Sequence, residues 1–215
     1  LAHDLKTPLT SILGYLNILK DEDDLSERFK KKYLQICHDK ALRLEELINE
    51  FFDITRYNLK DIVLEKSPVD FSFMMEQIIY EFKPLLKEKN LNINSSIESE
   101  IKLTIDPNKI ERVIDNIIRN AINYSYEDSN IDIVVNKDKE DFVNIFVVNK
   151  GPTIPAEKLD HIFEEFFRID PSRASKTGSA GLGLAIAKSI VVAHNGEIDI
   201  KSENETTEMM VKLPM

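Results

Sequence analysis

The sequence predicts an α+β protein in two parts, a helical hairpin followed by a domain whose helices cover one face of a largely antiparallel sheet. Apolar residues recur at spacings of three and four up to about residue 58, as on one face of a helix. Beyond that point, short alternating or continuous apolar runs are interspersed with helical patterns. The length of 215 residues accommodates two modest domains. We therefore divide the chain into residues 1–58 and 59–215.

The first 20 residues form an amphipathic helix according to their spacing. Its apolar side chains share one stripe: Leu5, Leu9, Ile12, Leu16 and Leu19. His3 and Thr7 are four residues apart and share a face roughly opposite that stripe. This arrangement predicts a solvent-facing imidazole with the Asp4 carboxylate beside it.

A second long helix is expected from a cap at Ser26 to about Asn58. Its apolar residues also repeat at helical spacing: Tyr33, Cys37, Ala41, Leu44, Ile48 and Phe51. Two helices in one hairpin cannot cover both apolar stripes by themselves. Docking of a second copy would give a four-helix bundle, so we expect a homodimer through residues 1–58. The alternative is packing of the hairpin against the rest of its own chain.

The remaining elements follow from shorter patterns and from Pro and Gly punctuation. In chain order we expect a strand at 62–64, a helix at 71–89 with Pro84 as its point of interruption, a strand at 92–105, a helix from Asp106-Pro107 to Tyr124, a hairpin of strands at 131–135 and 142–148, an irregular stretch at 151–180, a helix at 182–193 and closing strands at 197–201 and 209–213.

Composition excludes several classes of function. The net charge of −10 argues against a nucleic-acid-binding surface, which needs clustered Lys and Arg. A single cysteine, Cys37, excludes an internal disulfide and a cysteine zinc site, and fits a reducing, cytoplasmic compartment. No apolar run approaches the roughly 20 residues that span a bilayer, and no membrane contact is expected here. The chain opens in mid-helix without an initiating Met, as expected for a fragment of a longer polypeptide.

Two stretches carry amides and glycine where a ligand could bind. Asn116, Asn120 and Asn123 project from one side of a helix, at spacings of four and three. Their amide oxygens suit Mg²⁺ and ligand contacts, although a solvated polar face is the alternative. Asn149-Lys150-Gly151-Pro152 follows a β run and ends it with a glycine, where backbone can approach a flat ligand or simply turn.

Two further stretches lie near the next helix. Phe163–Arg168 combines aromatic residues with a cation, and a hydrophobic cluster that pins the loop is the simplest interpretation. Gly178–Leu184 is a glycine-rich turn that enters a helix N-terminus, where free N–H groups and the helix dipole favour an anion. It lacks the Lys-Ser/Thr of a P-loop and the strand context of a dinucleotide-binding turn.

Taken together, five stretches resemble the H, N, G1, F and G2 boxes of sensor histidine kinases. In this order they are His3–Leu9, Asn116–Ala121, Asn149–Pro152, Phe163–Arg168 and Gly178–Gly183. The resemblance covers essentially the whole chain and implies a dimeric phosphoacceptor hairpin followed by an α/β sandwich ATP-binding domain. Within the family, residues 3–11 and 51–59 look most like the vancomycin-resistance sensor kinases, which implies a role in an antibiotic response.

The resemblance implies a two-component signalling activity and assigns roles to the first helix. His3 would accept the γ-phosphate of ATP and pass it to an aspartate of a response regulator. Asp4 would hold the other ring proton, and Thr7 would position water when the enzyme dephosphorylates the regulator. The fragment would then be the cytoplasmic part of a membrane sensor.

The resemblance also implies a set of nucleotide-binding residues, with Asn120 as the Mg²⁺ ligand. The set is Asn116, Asn120, Asn123, Tyr124, Asn149, Gly151, Ile154, Phe163, Arg168, Lys176, Gly178, Gly181, Leu182 and Gly183.

Three positions depart from the family pattern. Asn149 stands where Asp is usual, Thr153 replaces a glycine, and Asn123 replaces a basic residue. These losses leave open a scaffold with a vestigial ATP site. A related ATPase of the chaperone and topoisomerase group is a second alternative, although such enzymes place a water-activating Glu at the position of Asn116.

Overall fold

The helical hairpin is confirmed in a computed structural model. The structure describes residues 2–22, 25–59, 62–169 and 181–215, excluding the side chains of residues 2–4, 46, 50, 51 and 53–59. Helix α1 (Ala2–Asp21) is continuous through Pro8, and α2 (Glu27–Leu59) returns beside it. The Cys37 thiol lies 3.7 Å from the Ile12 carbonyl oxygen, which sets the register of the antiparallel pair.

The rest of the chain covers the two apolar stripes of the hairpin to different extents. Leu9 and Leu16 keep 46% and 43% of their surface exposed, so the described part of this chain leaves the α1 stripe only partly covered. Leu47 of α2 is 3% exposed and belongs to the same hydrophobic core as the second domain, against which Leu5 also packs. The hairpin therefore docks on the second domain through one face of α2. No described helix is long and apolar enough to cross a membrane.

The second domain is a sandwich of helices on a five-stranded sheet, as the sequence predicted. Its elements are β1 (Ser67–Asp70), α3 (Phe71–Glu81), α4 (Lys83–Glu88), β2 (Asn92–Ile97), β3 (Lys102–Ile105), α5 (Pro107–Tyr124), β4 (Asn130–Lys137), β5 (Phe142–Lys150), α6 (Ala156–Leu159), α7 (Gly183–Ala193), β6 (Glu197–Glu203) and β7 (Thr206–Pro214). The strand order is β2-β4-β5-β7-β6. Strand β2 runs parallel to β4, and the other neighbours are antiparallel.

The single strand expected at residues 92–105 is wrong. The segment forms two strands: β2 joins the large sheet, whereas β3 pairs with β1 in a separate two-stranded sheet. Glu100 has a φ of 61°, in the left-handed region, and turns the chain between them. The apolar alternation continues across this turn without a change of phase, so the period alone could not reveal the break.

The strand expected at residues 62–64 is also wrong. The first strand is β1, Ser67–Asp70, because its partner β3 pairs with those residues, Ser67 lying opposite Ile105. Pro68 is compatible with this two-stranded ribbon, in which one side of each strand is unpaired. The expected interruption of the next helix is confirmed: α3 ends at Glu81, and Pro84 lies in the first turn of α4, where a missing N–H is tolerated.

Helix α5 is the central element of the core and of the site. Asp106 caps its N-terminus by accepting a hydrogen bond from the Lys109 N–H at 3.2 Å, and Pro107 occupies its first turn. Its buried apolar residues belong to the common hydrophobic core: Ile110, Val113, Ile114, Ile117, Ile118 and Ile122. Each buried isoleucine contributes about 1.5–3 kcal/mol of stability. This packing leaves the amide-bearing side of α5 for a cavity.

Asp106 also ties down the connection that arrives from the hairpin. Its buried carboxylate accepts a hydrogen bond from the Glu65 backbone N–H at 2.9 Å and pairs with the Lys109 ammonium at 2.6 Å. The Asp106 N–H donates to His194 Nε2 at 3.1 Å, while His194 Nδ1 donates to the Ile190 carbonyl at 2.8 Å. Because Nε2 must accept, His194 is buried as the neutral tautomer.

This arrangement predicts a stability that falls in mild acid. Burial lowers the pKa of His194 below its ordinary 6.5, because the charged imidazole would be desolvated. Protonation of Nε2 would also remove the acceptor of the Asp106 N–H. The unfolded chain then binds more protons below pH 6.5, so stability is fully present above that pH. It should fall by up to about 1.4 kcal/mol per pH unit on acidification, measured by urea denaturation between pH 7.5 and 5.5.

A His194→Gln control isolates the effect of this imidazole. Hydrogen bonds and the Lys109 charge offset burial and lower the pKa of Asp106 below 3.8, so its own contribution is lost only in stronger acid. We expect the slope between pH 7.5 and 5.5 to flatten in His194→Gln. An unchanged slope would contradict the assignment.

Candidate active site

One cavity of about 810 Å³ collects most of the residues expected to bind nucleotide. Its wall is formed by one side of α5, the end of β5 with the following loop, residues 162–169 and the start of α7. Nine expected residues line it: Asn116, Asn120, Asn123, Tyr124, Asn149, Ile154, Arg168, Gly181 and Gly183. The tertiary structure therefore joins four stretches that are distant in sequence.

The amide of Asn116 is shaped by its contact with α7. A Cβ atom at Gly183 would lie 2.9 Å from Asn116 Oδ1, so glycine is what allows this close approach. Asn116 Nδ2 is buried and has no hydrogen-bond partner among the described residues. A buried unpaired donor costs about 1–3 kcal/mol, and an acceptor in the cavity would relieve that cost.

The cavity lining combines one buried amide with several apolar side chains. Asn149, at the end of β5, is 6% exposed, and no described residue hydrogen-bonds its side chain. Several apolar side chains line the same cavity: Val147, Ile154, Ile162, Ile186, Ile200 and Met209. An apolar slot with one amide that both donates and accepts suits a flat heteroaromatic ring with a polar edge.

Gly151, Phe163 and Leu182 lie behind the cavity rather than in its wall. A Cβ atom at Gly151 would overlap the Tyr124 carbonyl oxygen, so this glycine lets the loop pass close to the end of α5. The Phe163 ring lies 5.3 Å from the Lys188 ammonium, and Leu182 is fully buried at the start of α7. Their positions indicate a supporting contribution.

The aromatic and glycine-rich stretches meet in space. Gly181 has a φ of 75°, and its carbonyl accepts a hydrogen bond from the Phe166 N–H at 3.0 Å. This contact brings Arg168 to the same wall as the start of α7. Lys176 and Gly178 lie outside the described residues, as do the side chains of His3 and Asp4.

Sequence reasoning missed several residues of the wall. Arg112, Asp115 and Arg119 line the cavity from α5, with Arg119 Nε 2.7 Å from Asp115 Oδ2. The helical stripe that contains Asn116 and Asn123 would have found them if it had been extended to its neighbours. Ile169 and Thr207 were missed as well, whereas Pro152 and Phe167, which also line the cavity, belong to the stretches that resemble the family's boxes.

Two more missed residues, Arg43 and Asn49, come from α2 of the hairpin. No local pattern marks them, because they reach the cavity only through the docking of α2. The register of the hairpin places them close to the start of α1. Ile12 lies beside Cys37, and the two helices run in opposite directions. His3, nine residues before Ile12, is therefore level with Glu46, nine residues after Cys37. The His3 backbone is therefore level with the middle of Arg43–Asn49, within about 4.5 Å along the helix axis of either end.

Comparison with known families agrees with this two-part architecture. Residues 1–59 match the His Kinase A (phospho-acceptor) domain, and residues 105–215 match the histidine kinase-, DNA gyrase B- and HSP90-like ATPase. The chain belongs to the histidine kinase-, DNA gyrase B- and HSP90-like ATPase family. The phospho-acceptor match in the hairpin distinguishes the histidine kinases within it and confirms the resemblance to sensor histidine kinases.

Relatives of this histidine kinase chain extend along its whole length. It is 50% identical to sensor protein VanSC of Enterococcus gallinarum and 47% identical to sensor protein VanS of Enterococcus faecium, each over 214 residues. The chain spans 59% and 55% of those proteins. Histidine kinase AdeS of Acinetobacter baumannii has the same fold, with a TM-score of 0.79, 24% identity and coverage of 99% of this chain and 98% of that one.

Proposed function

We propose that this chain is an ATP-dependent autokinase that phosphorylates His3 and passes the phosphoryl group to an aspartate of a response regulator. The observation that carries the proposal is the shared wall of the cavity. Arg43 and Asn49 of the hairpin line the same cavity as Asn116 and Asn120, at the level of the His3 backbone.

The chemistry proposed at His3 is an in-line phosphoryl transfer. A lone pair of the neutral imidazole forms the N–P bond to the γ-phosphorus. The bond from that phosphorus to the β,γ-bridging oxygen breaks, and ADP leaves with the electron pair. The proton on the other ring nitrogen is held by Asp4, which keeps the attacking nitrogen unprotonated.

The cavity residues would bind the nucleotide in a set orientation. Asn149 and the apolar slot would hold the base, while Asn116, Asn120 and Arg168 would face the phosphates. Asn120 would bind Mg²⁺, which supplies charge neutralisation at the phosphates when bound. Among the described residues no cluster of three or more His, Cys, Asp or Glu side chains could hold a metal ion. A single amide ligand suits Mg²⁺, which takes its other ligands from phosphates and water.

The exposed α1 stripe supports a homodimer through the hairpin, in which Leu9 and Leu16 of two copies cover one another. Thr7, exposed on α1, would position water for the reverse dephosphorylation of the regulator. We place the fragment in the cytoplasmic part of a longer membrane sensor, as its two relatives named sensor proteins exceed its length.

Labelling with γ-³²P-ATP and Mg²⁺ tests the proposed function. The chain should acquire label that is lost in acid and retained in alkali, as expected of a phosphoramidate at histidine. Acid-stable label would refute the proposal. ATP hydrolysis without label would indicate the ATPase alternative, and absence of Mg-ATP binding in calorimetry would indicate the scaffold alternative.

A further inference from the structure

Lys89 places a positive charge directly behind the cavity wall. It follows α4 as the residue that caps its C-terminus, and its side chain extends to the end of α5. The ammonium lies 2.9 Å from Asn123 Oδ1 and 3.4 Å from the Ile122 carbonyl oxygen. The side chain is half-buried, and Asn123 itself lines the cavity.

Within the described part of the chain, this ammonium forms no ion pair. Both of its acceptors are neutral oxygens, and among the described residues no carboxylate forms an ion pair with it. Burial lowers the pKa of Lys89 below its ordinary 10.5, and the nearby Glu88 charge opposes that effect only in part. A partly desolvated cation without an anion is stabilised by any anion that enters the adjacent cavity.

The same contact determines which way the Asn123 amide faces. A lysine ammonium only donates hydrogen bonds, so the Asn123 oxygen must face Lys89. The amide NH₂ group is then the part left for a ligand. At this position the wall therefore offers hydrogen-bond donors backed by a positive charge, which is what phosphate oxygens require.

We propose that Lys89 is a positioning residue for nucleotide binding: it orients Asn123 and supplies, from α4, the positive charge that replaces the missing basic side chain at position 123. The inference rests on the proposed nucleotide site. It assigns a role to a residue outside the five stretches that resemble the family's boxes.

Calorimetry with Mg-ATP and with adenosine tests this inference on the full chain. Lys89→Ala should weaken Mg-ATP binding about tenfold and leave adenosine binding within about twofold, because only the phosphates sense the charge. Lys87→Ala removes an exposed lysine from the same helix and should change neither affinity. Adding Asn123→Lys to Lys89→Ala should restore most of the Mg-ATP affinity, which a merely structural role would not allow.

Two results would overturn the inference: an unchanged Mg-ATP affinity in Lys89→Ala, or an equal loss for ATP and adenosine. Lys89→Gln provides a second test if Lys89→Ala does not fold, because it keeps a donor near Asn123 and removes only the charge. Lys89→Gln should still weaken the binding of Mg-ATP and leave the binding of adenosine unchanged. Wild-type chain that binds Mg-ATP without acquiring acid-labile label would refute the autokinase proposal alone, so the two failures are distinguishable.

Discussion

His3→Gln should remove all acid-labile label from the chain while leaving its Mg-ATP affinity unchanged. The glutamine amide keeps similar size and polarity but lacks a nucleophilic ring nitrogen, so no N–P bond can form. Nucleotide binding persists because the proposed contacts lie on α5, β5 and α7. Labelling with γ-³²P-ATP and calorimetry on the same preparation measure both quantities.

The hairpin supplies its own matched control in a second His-Asp pair. His38 is exposed on α2, its Nδ1 lies 3.6 Å from the Asp39 carboxylate, and the two residues repeat the His-Asp sequence at the start of α1. His38 is five residues N-terminal to Arg43, the first α2 residue of the cavity wall, whereas the His3 backbone is level with the middle of Arg43–Asn49. His38→Gln should therefore label normally. Loss of label in His38→Gln, or its survival in His3→Gln, would contradict the assignment of the acceptor.

Asn120→Ala should reduce the rate of labelling by roughly a thousandfold, the second largest effect expected. Its amide oxygen is the proposed protein ligand of Mg²⁺, and without it the metal is not held against the phosphates. The residue lines the cavity and is half-buried, so its removal should leave the α5 core intact. Labelling rates measured across a range of Mg²⁺ concentrations test the prediction.

Asn108→Ala is the matched control for that variant, since it removes an exposed asparagine from the first turn of the same helix. Its labelling rate should equal that of the wild type. Adenosine should bind Asn120→Ala normally, because the base slot around Asn149 is unaffected. A labelling rate above a tenth of the wild-type rate in Asn120→Ala would exclude this residue as an essential metal ligand.

Local patterns predicted the elements of the second domain best where the signals for the start and end of an element lie within that element's own sequence. Helix α5 begins and ends where Asp106-Pro107 and Tyr124 indicated, because a capping carboxylate and a first-turn proline are local signals. The prediction of a single strand at residues 92–105 was wrong because the turn between β2 and β3 does not interrupt the alternation of apolar residues. The predicted position of the first strand was wrong because the limits of β1 are set by pairing with β3, more than 30 residues away.

The candidate site likewise contains residues that local spacing predicts and residues that only tertiary packing brings to the cavity. Helical spacing alone predicts that Asn116, Asn120 and Asn123 share one side of α5, and all three line the cavity. Arg43 enters the wall only because Leu47 docks in the core of the second domain. The division of the chain at residue 58 and the roles of the site residues stay predictions.

The sequence alone determined the type of most elements, the face of α5 that carries the amides, and the resemblance to histidine kinases. These depend on spacings of a few residues, which helix and strand geometry convert directly into shared faces. Only the tertiary structure decided strand order, the docking of α2 beside the cavity and the bond from Lys89 to Asn123. That bond joins residues 34 positions apart, and packing across such separations has no local period.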